Sequence, residues 1–303
     1  MSERRYGDPQ ALRQAITDRL RGLASQRPGA QLADLQRQFA YDRLLSRLFR
    51  TEPDAWVLKG ATALLARLGG TARHTLDVDL YRRHADLEAA ESALRNAASI
   101  DIGDFFRFVL SPGRRIAQDR ATLRVPVLAY LGATEFAGFH VDLAVGVEMT
   151  GEPDEVGPLV PIELPGIVTT TYRVYPVADH LADKVCALLE VHPRLTGPPV
   201  PSTRYRDLVD LALLAHHVRL DAEELRFALT SEATRRALKL PQRLSVPVAV
   251  GWRTGYARAA RDAPGLQERG LDSALATVRA FIDPILAGSA TGSWDPDRLV
   301  WSA

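Results

Sequence analysis

Asp77 and Asp79, two aspartates separated by one residue, have the clearest potential for chemistry in this sequence. The segment TLDVDLY alternates as a β-strand does, so both carboxylates project from one face. Two carboxylates this close repel each other unless a cation lies between them. Mg²⁺ prefers oxygen ligands and keeps coordination positions open for phosphate oxygens. The pair therefore predicts a metal-dependent phosphoryl-transfer centre, while an exposed strand end without a ligand stays open as the alternative.

Asp142 could supply a third carboxylate. It lies in GFHVDLAVG, a segment with the pattern of a strand, where an unpaired buried carboxylate would be costly. Three carboxylates on neighbouring strands are typical of a two-metal centre, which aligns an attacking hydroxyl and neutralises the leaving pyrophosphate. A structural hydrogen bond to Asp142 is the competing interpretation.

The turn Lys59-Gly60-Ala61-Thr62 lies between a predicted strand, AWVLKG, and a predicted short helix. Backbone N–H groups at a helix start, a glycine that permits close approach and a nearby hydroxyl predict a phosphate-binding turn. The spacing is not that of the GxxxxGK[ST] loop.

Lys184 lies within the apolar helical pattern VADHLADKVCALLEV, and the only other lysines are Lys59 and Lys239. A compact ammonium there could neutralise a triphosphate, or it could pair with a neighbouring aspartate. In RYRDLVD, Asp207 and Asp210 are three residues apart and share a helix face. One of them could reach a nucleotide while the other pairs with a flanking arginine, of which Arg204 is one.

The elements that must position these residues form an α+β protein with a mixed sheet. Residues 1–50 are predicted to hold two helices, 51–175 a catalytic lobe, and 176–303 a helical lobe that contributes Lys184 and Asp207. Within the catalytic lobe, 150–166 is expected to be a loop and IVTTTYRVY a strand. The breaker-rich segment HPRLTGPPVPST predicts a surface loop.

Composition excludes several classes of protein. The chain of 303 residues has a formal charge of +1 and one cysteine, Cys186, so neither a disulfide framework nor a thiolate metal site is expected. No apolar run is long enough to span a membrane, and the first residues lack the apolar core of a signal peptide. A cytoplasmic location without a membrane partner is the expectation.

The order of LKGATALL, TLDVDLY, the later strand aspartate, HLADKVCAL and RYRDLVDLALL resembles the AbiEii/AbiGii toxin family of nucleotidyltransferases. This family includes the MenT-like toxins and belongs to the DNA polymerase β-like superfamily. The resemblance covers about residues 55–215. It implies a minimal polymerase-β-type fold, Mg²⁺, an NTP substrate and a cognate antitoxin, and an acceptor at the 3′ end of tRNA whose modification blocks translation.

The resemblance also implies roles for individual residues. Asp77, Asp79 and Asp142 match the metal ligands, and Lys184 and Asp207 match further catalytic residues. Nucleotide binding is assigned to the turn residues Lys59, Gly60 and Thr62, together with Thr75 and Arg204. The turn reads Gly-Ala-Thr where Gly-Gly-Thr or Gly-Ser is frequent in the family.

Thr75 precedes Asp77 by two residues, so its hydroxyl is expected beside the metal site. We hypothesise that phosphorylation of Thr75 would place a dianion next to the carboxylates and silence the enzyme. A threonine selected only for its β propensity is the simpler interpretation.

Three other functions remain open. The acceptor could be a small molecule such as an aminoglycoside, although the arginines of the helical segments favour RNA. A haloacid-dehalogenase-type phosphatase usually has Thr or Val two places after its second Asp, whereas this sequence has Tyr81. A non-catalytic nucleotide-binding module would keep the same motifs.

Overall fold

A computed structural model describes residues 6–27, 29–116, 119–192, 200–246 and 250–302. The chain divides into two compact units. Unit 1 comprises Met1–Gly70, His74–Glu148 and Pro153–Val174, and unit 2 comprises Thr71–Arg73, Met149–Glu152 and Tyr175–Ala303. The predicted α+β class with a mixed sheet is confirmed. None of the described helices is long and apolar enough to cross a membrane.

Unit 1 combines four helices with a mixed sheet. Its elements are α1 Pro9–Gln26, α2 Leu32–Thr51, β1 Trp56–Leu58, α3 Gly60–Leu68, β2 Asp77–Arg82, α4 Leu87–Ala98, β3 Phe106–Leu110, β4 Arg114–Ile116, β5 Asp119–Leu131, β6 Thr134–Ala144, β7 Asp154–Val156 and β8 Tyr172–Val174. The strand order is β3-β5-β6-β2-β1-β8-β7, and β4 pairs with β5. Strand β2 runs parallel to β6 and antiparallel to β1. It is therefore an interior strand with a neighbour on each side.

Local signals explain where the helices of unit 1 begin. Asp8 caps α1 by accepting a hydrogen bond from the Ala11 N–H at 2.8 Å, and Pro9 follows at the first helical position. Asp86 caps α4 in the same way through the Ala89 N–H. The N-cap of α3 is Lys59, which provides no side-chain cap. The free N–H groups at the start of α3 must therefore bond to other partners, one of which belongs to the candidate site.

The core of unit 1 fixes which face of β2 carries the aspartates. Val78 on β2, Val141 on β6 and Val125 on β5 are aligned across the sheet, and all three side chains are fully buried. Each such side chain contributes about 1.5–3 kcal/mol by burial. Because side chains alternate along a strand, Asp77 and Asp79 must project from the opposite face. A one-residue slip in register would bury both carboxylates. Burial of the apolar face therefore fixes the register of β2.

Helix α2 also anchors the segment that leads into β2. The buried Tyr41 hydroxyl donates to the Thr75 carbonyl at 3.1 Å, and its ring packs edge-on against Phe139 with centroids 4.7 Å apart. Burial raises the pKa of Tyr41 above its ordinary value, so the hydroxyl keeps the proton that it donates. This contact fixes the backbone two residues before Asp77.

Unit 2 is mostly helical. Its elements are α5 Val177–Leu189, β9 Val191–His192, β10 Val200–Pro201, α6 Tyr205–Ala215, α7 Ala222–Arg235, α8 Val250–Arg261, α9 Leu271–Leu286, β11 Ser293–Asp295 and β12 Val300–Ser302. Strands β11 and β12 form an antiparallel hairpin in which Trp294 is opposite Trp301. Both rings pack near Phe281 of α9. This hairpin lies where the sequence predicted no strand.

Two details of the segment between β6 and α5 also differ from expectation. The segment 150–166, expected to be a loop, contains the short strand β7. Of IVTTTYRVY, only Tyr172–Val174 forms a strand. Both strands have three residues, too few for an alternating pattern to reveal. The predicted loop HPRLTGPPVPST lies partly outside the described residues.

Candidate active site

The aspartates of β2 lie on one partly exposed face of the sheet, as the spacing predicts. The side chain of Asp77 is 32% exposed, and Asp79 is also partly accessible. Between them, Val78 points into the core. Asp79 faces Asp142 of β6 in the parallel register, and Asp77 faces His140. Side chains directly opposite on adjacent strands share a face, so these four residues form one polar patch.

The turn Lys59–Gly60 lies against Asp79. The Lys59 N–H donates to the Asp79 carbonyl at 2.9 Å, which continues the pairing of β1 with β2. The Ala61 N–H at the start of α3 donates to Asp79 Oδ2 at 3.2 Å. The carboxylate thereby partners an N–H group of the first helical turn, where the helix dipole favours negative charge.

Gly60 is required at its position for two reasons. Its φ is +52°, a conformation that glycine adopts without strain. A Cβ atom at this position would lie 2.2 Å from Asp79 Oδ2. Any side chain at position 60 therefore collides with the carboxylate of the candidate centre.

Two threonine hydroxyls hold β2 in place. Thr62 is fully buried, donating to the Asp77 carbonyl at 2.9 Å and accepting from the Asp79 N–H at 3.3 Å. The Thr75 hydroxyl donates to the Asp77 carbonyl and accepts from the Asp77 N–H, both at 3.2 Å. The Thr62 hydroxyl, for which a contact with phosphate is predicted, bonds to the strand backbone in this structure. Thr62 is therefore a positioning residue for both aspartates.

Asp142 is engaged by an arginine that the sequence analysis did not identify. Arg124 of β5, its cross-strand partner, donates from Nε to Asp142 Oδ1 at 2.7 Å and from Nη2 to Oδ2 at 2.6 Å. The same Nη2 lies 3.5 Å from Asp77 Oδ2. The hydrogen bonds that Arg124 donates to Asp142 raise the pKa of Arg124 above its ordinary value, so the guanidinium stays charged.

This pairing bears on the predicted three-carboxylate metal site, which stays a prediction. Among the described residues, no group of three or more His, Cys, Asp or Glu side chains is arranged to hold a metal ion. The physical reason is that Arg124 supplies the positive charge beside Asp142 that a metal would otherwise supply. Asp77 and Asp79 remain as carboxylates on a common, accessible face.

A second charged cluster lies within unit 2. Lys184 Nζ donates to Asp207 Oδ1 at 3.0 Å and to Asp210 Oδ2 at 2.6 Å. Arg73 Nε donates to Asp210 Oδ1 at 2.9 Å, and the Arg204 side chain pairs with Asp207. The side chains of Lys184 and Asp210 are 5% and 0% exposed. The cluster is therefore a network of alternating charge in which Lys184, Asp207 and Asp210 are buried and Arg204 is exposed.

The pKa values in this network follow from burial and charge together. Burial lowers the pKa of Lys184, but the charges of Asp210 and Asp207 outweigh it and the net shift is upward. For Asp210, burial raises the pKa, whereas Lys184 and Arg73 lower it to about 2. Lys184 and Asp210 are thus both ionised at neutral pH.

The structure therefore brings the predicted residues together in two groups, each within one unit. Lys59, Gly60, Thr62, Thr75, Asp77, Asp79 and Asp142 belong to unit 1, and Lys184, Arg204 and Asp207 belong to unit 2. The sequence analysis missed Arg124, His140 and Arg73. The one available signal was the cost of burying an unpaired Asp142, which called for a cation on a neighbouring strand.

Comparison with known proteins identifies the family. Residues 43–287 match the family described as "Nucleotidyl transferase AbiEii toxin, Type IV TA system". Among curated proteins, none matches the sequence.

Three solved structures are similar to this chain. MenT4, a nucleotidyltransferase toxin from Mycobacterium tuberculosis H37Rv, is 20% identical, with 88% of this chain and 99% of that chain covered and a TM-score of 0.49. A crystal structure from H. pylori assigned to the nucleotidyltransferases is 17% identical, with 82% and 96% covered and a TM-score of 0.43. The antibiotic-resistance factor ANT(2″)-Ia is 16% identical, with 66% and 95% covered and a TM-score of 0.32.

The family match spans most of the chain and includes both charged clusters. It confirms the resemblance that the motifs suggested, and with it the assignment as an enzyme. The chain belongs to the AbiEii family of nucleotidyltransferase toxins of type IV toxin–antitoxin systems.

Proposed function

We propose that this toxin uses Asp77 and Asp79 to hold Mg²⁺ and transfers a nucleoside monophosphate from an NTP to the 3′ end of tRNA. A modified 3′ end could no longer accept an amino acid, so translation would stop. The observation that carries the proposal is the accessible Asp77–Asp79 pair on one strand face, with Gly60 in close approach to Asp79. Membership of a type IV toxin–antitoxin family implies a cognate antitoxin as partner.

The residues present fit a magnesium ion. Asp77 and Asp79 offer hard oxygen ligands, and proteins commonly bind Mg²⁺ through one or two carboxylates, with the remaining positions taken by water and substrate phosphates. Asp142 would join them only if Arg124 released it. When bound, the ion would neutralise charge on the phosphates of the donor.

The donor triphosphate is proposed to lie at the start of α3. Lys59 and Gly60 border Asp79 there, and the N-terminus of α3, whose Ala61 N–H contacts Asp79, carries a positive partial charge. Gly60 lacks a Cβ, so its backbone can approach a phosphate closely. In the transfer, the acceptor hydroxyl oxygen bonds to the α-phosphorus, the bond to the bridging oxygen breaks, pyrophosphate leaves, and the hydroxyl proton passes to water.

Lys184, Asp207 and Arg204 are proposed to serve the same reaction. The buried network holds the ammonium of Lys184 charged, as a role in neutralising a triphosphate requires. Asp207 is shared between Lys184 and Arg204, so it links the two predicted cations. A Lys184→Met variant that folds normally but transfers no nucleotide would support this assignment, whereas full activity would exclude it.

A small-molecule acceptor such as an aminoglycoside is the second candidate. Such an acceptor is a polycation, and the described residues beside Asp142 include Arg124 and His140 on the exposed face. The positive charge of Arg124 at this position disfavours a cationic acceptor and favours a polyanion such as RNA.

The test is incubation of the purified toxin with Mg²⁺ and each of the four α-labelled NTPs in turn, with total tRNA or kanamycin as acceptor. The proposal predicts label in tRNA with at least one NTP, none in kanamycin, and none in tRNA when EDTA is present. Label in kanamycin alone would replace the proposed acceptor. No label in either would refute the proposed reaction.

A further inference from the structure

A basic pocket of about 490 Å³ lies in unit 1 beside the candidate centre. Its lining comprises Arg114, Arg115, Ile116, Arg124, Pro126 and His140. Three of these residues are arginines, and none is acidic. The pocket therefore favours an anionic ligand.

The register of four strands explains why the pocket adjoins the acidic pair. Arg114 of β4 faces Arg124 of β5, Arg124 faces Asp142 of β6, and Asp142 faces Asp79 of β2. These four residues form a row across one face of the sheet, which we call the charged row. Neighbouring strands are about 4.8 Å apart, so the row spans about 14 Å. It is acidic at β2 and becomes basic toward β4.

The two strands that flank β2 lead to different parts of the candidate site. On one side β2 pairs with β1, whose end leads into Gly60 and α3, the proposed position of the donor triphosphate. On the other side it pairs with β6, beyond which the charged row continues into the basic pocket. His140, which lines the pocket, has Nδ1 3.5 Å from Asp77 Oδ1. An acceptor that enters from the pocket would thus reach the carboxylates opposite the donor.

We propose that this pocket binds backbone phosphates of the RNA acceptor, through Arg114 and Arg115 at its outer end and His140 and Arg124 at its inner end. The proposal rests on the proposed function, because it names the acceptor site of the same reaction. Arginine suits this role because its planar guanidinium binds phosphate oxygens in pairs. Arg114 and Arg115 are exposed and lie away from the acidic pair, whereas Arg124 also holds Asp142, so the first two are the appropriate residues to test.

The test compares the double variant Arg114→Gln/Arg115→Gln with a matched control, Arg19→Gln/Arg21→Gln. Both pairs are exposed and lie in unit 1, and both variants lose two positive charges. The control residues lie on α1, outside the charged row. Fluorescence anisotropy with labelled total tRNA at several salt concentrations gives the acceptor affinity, and a fluorescent analogue of each NTP gives the donor affinity. Circular dichroism and thermal melting verify that both variants fold.

The proposal predicts that Arg114→Gln/Arg115→Gln weakens tRNA binding by at least ten-fold and leaves NTP binding within two-fold of wild type. Each lost phosphate contact should also reduce the slope of log affinity against log salt by about 0.7–0.9. The control should retain wild-type affinity for both ligands. Unchanged tRNA binding would overturn the proposal. Loss of NTP affinity with tRNA affinity intact would assign the pocket to the donor and overturn it too.

Binding and transfer are measured separately, so two failures can be told apart. If wild-type toxin labels tRNA while the double variant binds tRNA normally, the pocket assignment fails and the proposed function stands. If wild-type toxin binds tRNA through the pocket but transfers no nucleotide, the proposed function fails and the RNA-binding site stands. Transfer to kanamycin without tRNA binding would refute both.

Discussion

Gly60 and Asp79 are in such close approach that a methyl group on Gly60 would lie 2.2 Å from Asp79 Oδ2. Helix α3 begins at Gly60 and is followed by Gly69, and the two glycines have nearly equal φ angles of +52° and +56°. At Gly69 no atom lies within 4 Å of the position of an added Cβ. Substitutions at these two glycines therefore separate the effect of backbone strain from the effect of a collision with the Asp79 carboxylate.

Gly60→Ala should abolish nucleotide transfer, because the added methyl displaces the Asp79 carboxylate. Gly69→Ala also introduces strain at a positive φ, about 1–3 kcal/mol, but without that collision, and should retain transfer. Steady-state kinetics and urea unfolding of both variants give the comparison. If Gly60→Ala retained wild-type kcat/KM, the close approach would have no catalytic importance.

Arg124→Gln should strengthen divalent metal binding. The substitution removes a positive charge that lies 3.5 Å from Asp77 and releases the Asp142 carboxylate. Removing one unit charge at this range corresponds to about 1.4 kcal/mol, or about a ten-fold lower dissociation constant for Mn²⁺. Isothermal titration calorimetry in the absence of nucleotide measures the dissociation constant for Mn²⁺ in wild type and in Arg124→Gln.

The double variant Arg124→Gln/Asp142→Asn controls for this effect, since it removes the released carboxylate as well. Its Mn²⁺ affinity should fall back toward the wild-type value. Equal affinity in wild type and Arg124→Gln would mean that Arg124 does not compete with the metal for these carboxylates.

Thr75→Glu should silence the enzyme, because it places a negative charge where the hydroxyl now bonds to the Asp77 backbone at 3.2 Å. Thr75→Val removes the hydroxyl without adding charge and should lose far less activity. Thr134→Glu, at an exposed site in the same unit, should leave transfer unchanged.

The related hypothesis of phosphorylation at Thr75 is tested by intact-mass and peptide mass spectrometry of toxin co-expressed with its antitoxin. An inactive pool that carries phosphate on Thr75 is the expected result. An inactive pool with unmodified Thr75 would dismiss this mode of inhibition, although Thr75→Glu could still be inactive.

Asp210 should make stability depend on pH in the acid range. Its pKa is about 2 in the folded protein and 3.8 in the unfolded chain. Between these values the unfolded chain binds a proton that the folded protein does not, so stability increases with pH. The contribution, about 2 kcal/mol, is complete above pH 4 and lost as pH falls through 2. Urea unfolding of wild type and Asp210→Asn from about pH 2 to pH 7 measures this pH-dependent change in stability.

Asp210→Asn should also lower stability at neutral pH by about 3–5 kcal/mol, because Lys184 and Arg73 lose a buried partner. The highly exposed Asp297 provides the control, and Asp297→Asn should change stability by less than about 0.5 kcal/mol. An equal, small effect of both substitutions would contradict the buried network.

The sequence was sufficient for features that depend on local periodicity. Side chains alternate along a strand, so the spacing of Asp77 and Asp79 predicted their common face, and Val78 between them predicted the buried one. The glycine after a strand predicted the turn at Gly60. These inferences need only one segment at a time.

Pairing between segments was not predictable in the same way. Arg124 and Asp142 are 18 residues apart, and only the register of β5 against β6 makes them partners. Lys184 was expected to bind a triphosphate or a neighbouring aspartate, whereas its partners come from α6. The strands β7, β11 and β12 each have three residues, so neither alternation nor length distinguished them from loops.

The proposal on which the predictions about transfer depend is that Asp77 and Asp79 form the catalytic centre for transfer to tRNA. Its most direct test is single-turnover transfer from an α-labelled NTP to total tRNA by wild type, Asp77→Asn and Asp79→Asn, with folding verified by thermal melting. Both variants should remain folded and bind tRNA, yet label its 3′ end at least about 10³-fold more slowly, as loss of an essential metal ligand requires. Labelling by either variant at the wild-type rate would contradict the proposal.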